Sequence, residues 1–208
     1  YAIMYLQGAS EIAHGYKLPY PKDLPEDHGA KTIASDFIDF ARRNNLSLGT
    51  IESCTGGALA SAITDIAGCS DVYKIGWLAY DENAKQMLGV PLSLMVYGNV
   101  YSEHVAQAMA EALSRKSGVD IAIATTGLME SFDTRPFHNH TLPGTIFVSV
   151  KVFGHMAQTT FRLLPATREE LKKIATELIL NFAHIFALNI TQGKQESFYE
   201  PIDTISYT

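Results

Sequence analysis

Apolar positions along this chain switch between a helical period and a strand period, and the switches mark out its elements. From Gly29 to Asn45, residues Ile33, Phe37, Ile38, Phe40 and Ala41 recur at helical spacing and predict an amphipathic helix. Leu46 to Ile51 reads as a short strand, and Ala58 to Ile66 returns to helical spacing. Val72 to Tyr80 predicts a second strand, Glu82 to Leu88 a short helix, and Pro91 to Val96 a further helical turn. Ser102 is a good N-cap for a helix running to about Ser117. Val119 to Thr125 is continuously apolar, as a buried strand is. Gly144 to Phe153 and Met156 to Leu163 predict two antiparallel strands joined at Gly154-His155. Thr167 with Glu170 three residues on spells a capping box, opening a last helix to about Leu188.

That order predicts the α/β class. The expected architecture is a three-layer α/β/α sandwich with a mixed, mostly parallel sheet closed by an antiparallel hairpin. One domain, 29–188, accounts for it. Residues 1–28 hold Pro19, Pro21 and Pro25 and read as an irregular arm; 189–208 read as an extended polar tail.

Composition narrows the picture. The chain has 208 residues, 47% of them hydrophobic, which suits a globular domain with a substantial core. A net charge of −6 argues against nucleic acid as a partner, since phosphate backbones require basic surface. The most apolar stretch, Leu178 to Ile190, is short and is interrupted by Asn181, His184 and Asn189, so no membrane span is expected. Residues 1–20 lack the pattern of a secretory signal. Two cysteines, Cys54 and Cys69, imply no disulfide framework and fit a reducing cytoplasm. His138-Asn139-His140 has no evident third ligand, so neither a metal nor a cofactor is expected.

The candidate chemistry starts at Glu52-Ser53-Cys54-Thr55-Gly56-Gly57, between a strand and a helix. Two glycines permit a sharp turn and close ligand approach, and the first amides of a helix favour an anion or oxyanion. Ser53 and Cys54 are both candidate nucleophiles there; a tight turn with a capping hydroxyl is the structural alternative. A second cluster, Tyr80 to Lys85, follows the next strand. A third, Thr126-Gly127, ends the apolar strand. Ligands of open α/β sheets gather beyond the carboxyl ends of strands, so the three clusters together predict one site.

These residues resemble the C-terminal domain of the competence/damage-inducible CinA proteins, a family that includes nicotinamide-mononucleotide amidohydrolases. The family pattern ESCTGG stands here as Glu52 to Gly57. Its TDxxGxS is similar to Thr64 to Ser70, its YxxxAK to Tyr80 to Lys85, and its LGV to Leu88-Gly89-Val90. Weaker likenesses are Ser102 to Val105 with Met109 to Glu111, Leu142 to Thr145, and Pro165 to Arg168. The resemblance covers about 30–188. It implies hydrolysis of a carboxamide, with Ser53 as nucleophile and Lys85 as base, acting directly or through Tyr80. It implies that the amides of Thr55, Gly56 and Gly57 hold an oxyanion or phosphate, that Ser70, Thr126 and Gly127 orient substrate, and that Arg168 binds a phosphate. The implied partner is a small phosphorylated ligand, and the implied assembly a homodimer or higher homo-oligomer.

Two departures stand out. The family's TGIAGPxGG is replaced by Thr126 to Arg135, with no Gly-Pro turn and no paired glycines, and Gly98 to Ser102 carries one residue more than the family's GAVS. The altered loop, 128–142, is expected to border the ligand. A re-specialised or non-catalytic nucleotide-binding protein of the same fold is therefore the second reading.

Overall fold

The computed structural model describes residues 29–96, 100–129, 141–163 and 166–193. The predicted arm, Gly98-Asn99, His138, His140 and most of the predicted tail lie outside the described residues.

The predicted order of elements is observed, with ends shifted by a few residues. Helix α1 (Ala30–Arg43) leads to strand β1 (Leu48–Glu52) and helix α2 (Ala58–Thr64). Strand β2 (Tyr73–Leu78) and helix α3 (Glu82–Met87) follow, and then helix α4 (Glu103–Ser117). Strands β3 (Ile121–Leu128), β4 (Thr145–Val152) and β5 (His155–Arg162) precede helix α5 (Arg168–Thr191). The helical turn expected at Pro91 to Val96 is a short 3-10 segment, Leu92–Leu94. Strand β3 runs three residues beyond the predicted Thr125, because β4 pairs with it as far as Leu128. The β4–β5 turn falls at Phe153-Gly154 rather than Gly154-His155, with Phe153 taking φ 54°.

The sheet order is β2-β1-β3-β4-β5. Strand β1 pairs in parallel with β2 and β3, while β4 is antiparallel to both β3 and β5. Every strand but β4 therefore points the same way. The hairpin completes one edge and leaves the sheet open, with β2 and β5 at its ends.

Both faces are covered, which explains why β1 and β3 are buried along their whole length. On one face Leu48, Ile121, Ile123, Ile146 and Val148 pack with α1, α2 and α5 through Phe37, Leu59, Ile63, Ile179 and Phe182. On the other, Ile51, Ala122 and Ala124 pack with α4 through Val105, Met109 and Leu113. Among the described helices only α5 has the length and hydropathy of a bilayer span; its Leu171, Ala175, Ile179, Phe182 and Ala183 are buried in this core.

Local chemistry sets the helix ends. The Ser102 hydroxyl accepts from the Val105 amide at the start of α4. Thr167 and Glu170 form the reciprocal capping box that opens α5. This cap places Arg168 at the first position of α5.

Gly127 owes its identity to packing. A Cβ there would overlap the Thr145 carbonyl oxygen and lie 2.8 Å from the Ile146 Cα, so β4 can approach β3 only past a glycine. Gly127→Ala is expected to cost about 1–3 kcal/mol, as overpacking does. Gly154→Ala, where a Cβ meets nothing within 4 Å, should be close to neutral. Urea unfolding midpoints of the two variants against wild type check this.

Candidate active site

The site lies at the carboxyl end of β1, flanked by the same ends of β2 and β3. Strand pairing continues one step past the strands: the Ser53 amide donates to the Thr125 carbonyl at 3.1 Å, and Ala79 donates to Glu52 at 2.7 Å. The turn after Glu52 is thus held between two neighbours before any side chain is considered.

Glu52 organises that turn. Its carboxylate is 1% exposed and accepts from the Thr55 hydroxyl at 2.7 Å and from three amides. Those are Gly57 at 3.0 Å, Leu59 at 3.1 Å and Ala60 at 2.8 Å. A buried carboxylate demands such partners, and helix N-termini supply them. Gly56 and Gly57, with φ 63° and 94°, bend the chain so that these amides converge on one carboxylate. The Thr55 hydroxyl also lies 3.1 Å from that of Thr125, tying the turn to β3.

With the turn held from the α2 side, Ser53 meets Lys85. The Lys85 ammonium nitrogen donates to Ser53 Oγ at 3.1 Å and to the Tyr80 carbonyl at 3.4 Å. Ser53 is 3% exposed and Lys85 1% exposed. Helix α3 delivers the lysine, since Asp81 caps it by accepting from the Asn83 amide and Lys85 comes one turn later. Burial is the largest influence on Lys85 and lowers its pKa from the ordinary lysine value; the charges of Cys54, Glu82 and Asp81 act in the opposite direction. The Cys54 part is weak at neutral pH, because desolvation pushes that thiol up to about 12 and keeps it protonated. Burial and the raised pKa make Cys54 poorly suited to act as a thiolate.

Tyr80 and Arg168 meet across the edge of the sheet. Arg168, on the first turn of α5, donates to the Tyr80 hydroxyl at 2.7 Å. Tyr80 touches Lys85 through its carbonyl, while its hydroxyl is engaged by Arg168, so the lysine contacts the serine directly.

Other expected site residues are placed differently. Ser70 lies before β2, at the amino end of a strand whose carboxyl end borders Ser53. The five-residue length of β1 separates the two, roughly 15 Å. Thr126 is fully buried and donates to the Val100 carbonyl at 3.0 Å. Gly127 is explained by strand packing. The Gly57 amide is taken by Glu52, and the Gly56 amide by the Ser53 carbonyl at 3.1 Å. Thr55 contributes its hydroxyl to Glu52; of the three amides expected to bind an anion, only its own is not committed to another described group.

Two residues were not singled out in the sequence. Glu52 carried a signal, an acid at the end of an apolar strand just before a helix start. Lys172 also carried one, standing four residues after Arg168 and hence on the same face of α5. Its ammonium reaches the turn, where a Cβ on Gly56 would lie 2.9 Å from Lys172 Nζ.

Comparison with known proteins agrees with this architecture. The CinA C-terminal domain family matches residues 30–186. A CinA-like protein of Akkermansia muciniphila is 34% identical over 139 residues, which cover 66% of this chain and 33% of that protein. One from Chlorobium limicola is 47% identical over 102 residues, covering 48% of this chain and 24% of its own length. The chain thus spans about a third or less of these two curated relatives. Among solved structures, the competence/damage inducible protein CihA from Agrobacterium tumefaciens is 28% identical with a TM-score of 0.70. That match covers 77% of this chain and 95% of the other. A CinA superfamily protein from Escherichia coli gives 25% identity and a TM-score of 0.70, over 79% and 93% of the two chains. With residues 30–186 matched and the same fold in its solved relatives, the chain belongs to the CinA C-terminal domain family.

Proposed function

We propose that this protein is an amidohydrolase that converts nicotinamide mononucleotide to nicotinate mononucleotide and ammonia, with no metal or cofactor, in the cytoplasm and as a homodimer or higher homo-oligomer. The contact that carries the reading is Lys85 Nζ to Ser53 Oγ at 3.1 Å, with both residues buried. A lysine held in a nearly dry site has little reason to be there for stability, since burying an unpaired ammonium is costly. Desolvation lowers its pKa, and the neutral amine is the form that can take a proton.

The chemistry then follows from the geometry. Neutral Lys85 takes the Ser53 hydroxyl proton as Ser53 Oγ attacks the carboxamide carbon. The Thr55 amide is the donor assigned to the oxyanion. The tetrahedral adduct collapses, the carbon–nitrogen bond breaks, and Lys85 returns the proton to the departing ammonia. Water attacks the acyl-serine, with Lys85 again accepting a proton, and releases the acid and free Ser53 Oγ. Tyr80, exposed and with its hydroxyl held by Arg168, is the side chain assigned to orient the substrate.

A second reading keeps the fold and the ligand class but not the turnover. It rests on the altered loop 128–142, of which Leu128, Met129, Thr141 and Leu142 are described. Ammonia release from nicotinamide mononucleotide separates the two. We expect turnover by wild type, a loss of at least about a thousandfold in Ser53→Ala, and most activity retained in Cys54→Ala. The reverse ranking of the two variants would remove Ser53 from the nucleophile's place. Binding of the mononucleotide without ammonia would favour the second reading.

The state of Lys85 makes a separate, pH-dependent prediction. Activity needs the neutral amine, so kcat/KM should rise with pH along a limb whose midpoint lies below lysine's ordinary 10.5. Stability follows the same group. Between the lowered folded-state pKa and the ordinary value, the unfolded chain binds the extra proton, so this contribution to stability grows as pH rises and is lost as pH falls. Lys85→Met should abolish turnover yet unfold at equal or higher temperature at neutral pH. A melting temperature several degrees lower would show that Lys85 is a structural residue.

A further inference from the structure

Two stretches depart from the family pattern, and the fold makes them two walls of one cavity. The segment longer by one residue contributes Tyr101 and Ser102, and the replaced loop contributes Thr141 and Leu142. The Thr141 hydroxyl donates to the Tyr101 carbonyl at 3.4 Å and ties the walls together. Strand β4 is the floor. Alternation puts its Thr145, Phe147 and Ser149 on one face, and Gln158 joins Ser149 to the Glu103 carbonyl at the start of α4. The space enclosed is about 400 Å³, within the range of small-molecule sites. Ser53, Tyr80, Lys85 and Arg168 do not line it, and β3 runs between β1 and the floor. Thr126, the β3 residue opposite Phe147, is fully buried with its hydroxyl on the Val100 carbonyl.

The polar groups of this cavity are of both signs. Helix α4 runs for 15 residues, and the amides of Glu103 and His104 at its start donate to no other described group. Thr145 is 8% exposed; its hydroxyl has no partner among the described residues and is not sealed inside the protein. It opens onto the cavity that Thr145 lines, a hydrogen-bonding group in want of a partner. One carboxylate stands beside these donors. Glu103 is held firmly, since Gln158 donates to its carbonyl at 2.9 Å and the Thr160 hydroxyl to Oε1 at 2.9 Å. Its Oε2 has no described partner. A simple anion would meet the Glu103 charge, and a simple cation the positive end of α4. A zwitterion satisfies both, and Phe147 with Leu142 offers apolar surface to the rest of it.

We propose that this cavity binds a free α-amino acid with an apolar side chain. The ligand's carboxylate accepts from the first amides of α4 and the Thr145 hydroxyl. Its ammonium donates to Glu103, and its side chain lies against Phe147 and Leu142. Occupancy of this cavity neither requires nor follows from hydrolysis at Ser53.

Calorimetric titration of the full chain with L-leucine, L-methionine and L-phenylalanine tests the assignment. At least one should bind wild type. The amide of the tightest binder lacks the carboxylate, and its deaminated acid lacks the ammonium. Each should bind about tenfold or more weakly, as loss of a charged hydrogen-bonded group implies. Thr145→Val removes the hydroxyl at nearly constant shape and should weaken the amino acid about tenfold. Glu103→Gln should weaken it by about tenfold or more, yet bind the deaminated acid no worse than wild type does, because the repelling charge is gone. Melting temperatures report whether the variants fold; should either fail, the two analogues on wild type decide alone. No binding of any of the three amino acids, analogues that bind as well as the parent, or unchanged affinity in either folded variant would overturn the proposal.

Discussion

A buried carboxylate at the end of β1 governs the rest of the structure. The buried Glu52 carboxylate needs hydrogen-bond partners, and among the described residues it finds them in a hydroxyl and the first amides of α2. Satisfying it folds the six residues from Glu52 to Gly57 back over the strand end. That fold turns Ser53 away from α2 and toward α3, where Lys85 waits. The placing of Ser53 beside Lys85 thus depends on the acid that precedes it. The same arrangement commits the amides of Gly57, Leu59 and Ala60, while α5 brings the Lys172 ammonium to the turn at Gly56.

The sheet supplies the second constraint. The candidate residues Ser53, Tyr80 and Lys85 gather where β1, β2 and β3 end together. Parallel neighbours bring consecutive carboxyl ends into register, so Ser53 and Tyr80 follow strands that finish side by side. The antiparallel hairpin has a different task. It widens the floor on which α5 lies, and α5 brings Arg168 and Lys172 back over the site from far along the chain. Solved relatives share this fold at 25–28% identity.

Much of this was legible beforehand. Elements with strong periodicity or a capping signal, such as α1, α4 and α5, were predicted close to their observed ends. The Ser53–Lys85 pairing was implied by the family pattern, and no local period could have revealed it. The misplacements have physical causes. Ser70 belongs to a conspicuous motif, but motifs do not report which end of a strand they occupy, and a parallel neighbour puts it at the wrong one. Gly127 suggests ligand approach in sequence and proves to be a site of strand approach, a distinction that needs the opposite strand. Glu52 and Lys172 were passed over although each carried a signal, an acid at a strand end before a helix start and a lysine one turn after Arg168, because only the fold brings them to the amides of α2 and to the turn at Gly56.

The hydrogen bond between Arg168 and Tyr80 spans 88 positions of the chain, against 32 for that between Lys85 and Ser53. Closing the longer loop costs more entropy and depends on β4, β5 and α5 already being in place. The two halves of the site therefore mature at different moments. As the chain leaves the ribosome, the serine and lysine can find each other once the first three strands have emerged. The tyrosine and the two cations of α5 join them only after the hairpin has docked. A chain that stops short of α5 therefore lacks the Arg168–Tyr80 contact even where Ser53 and Lys85 have met.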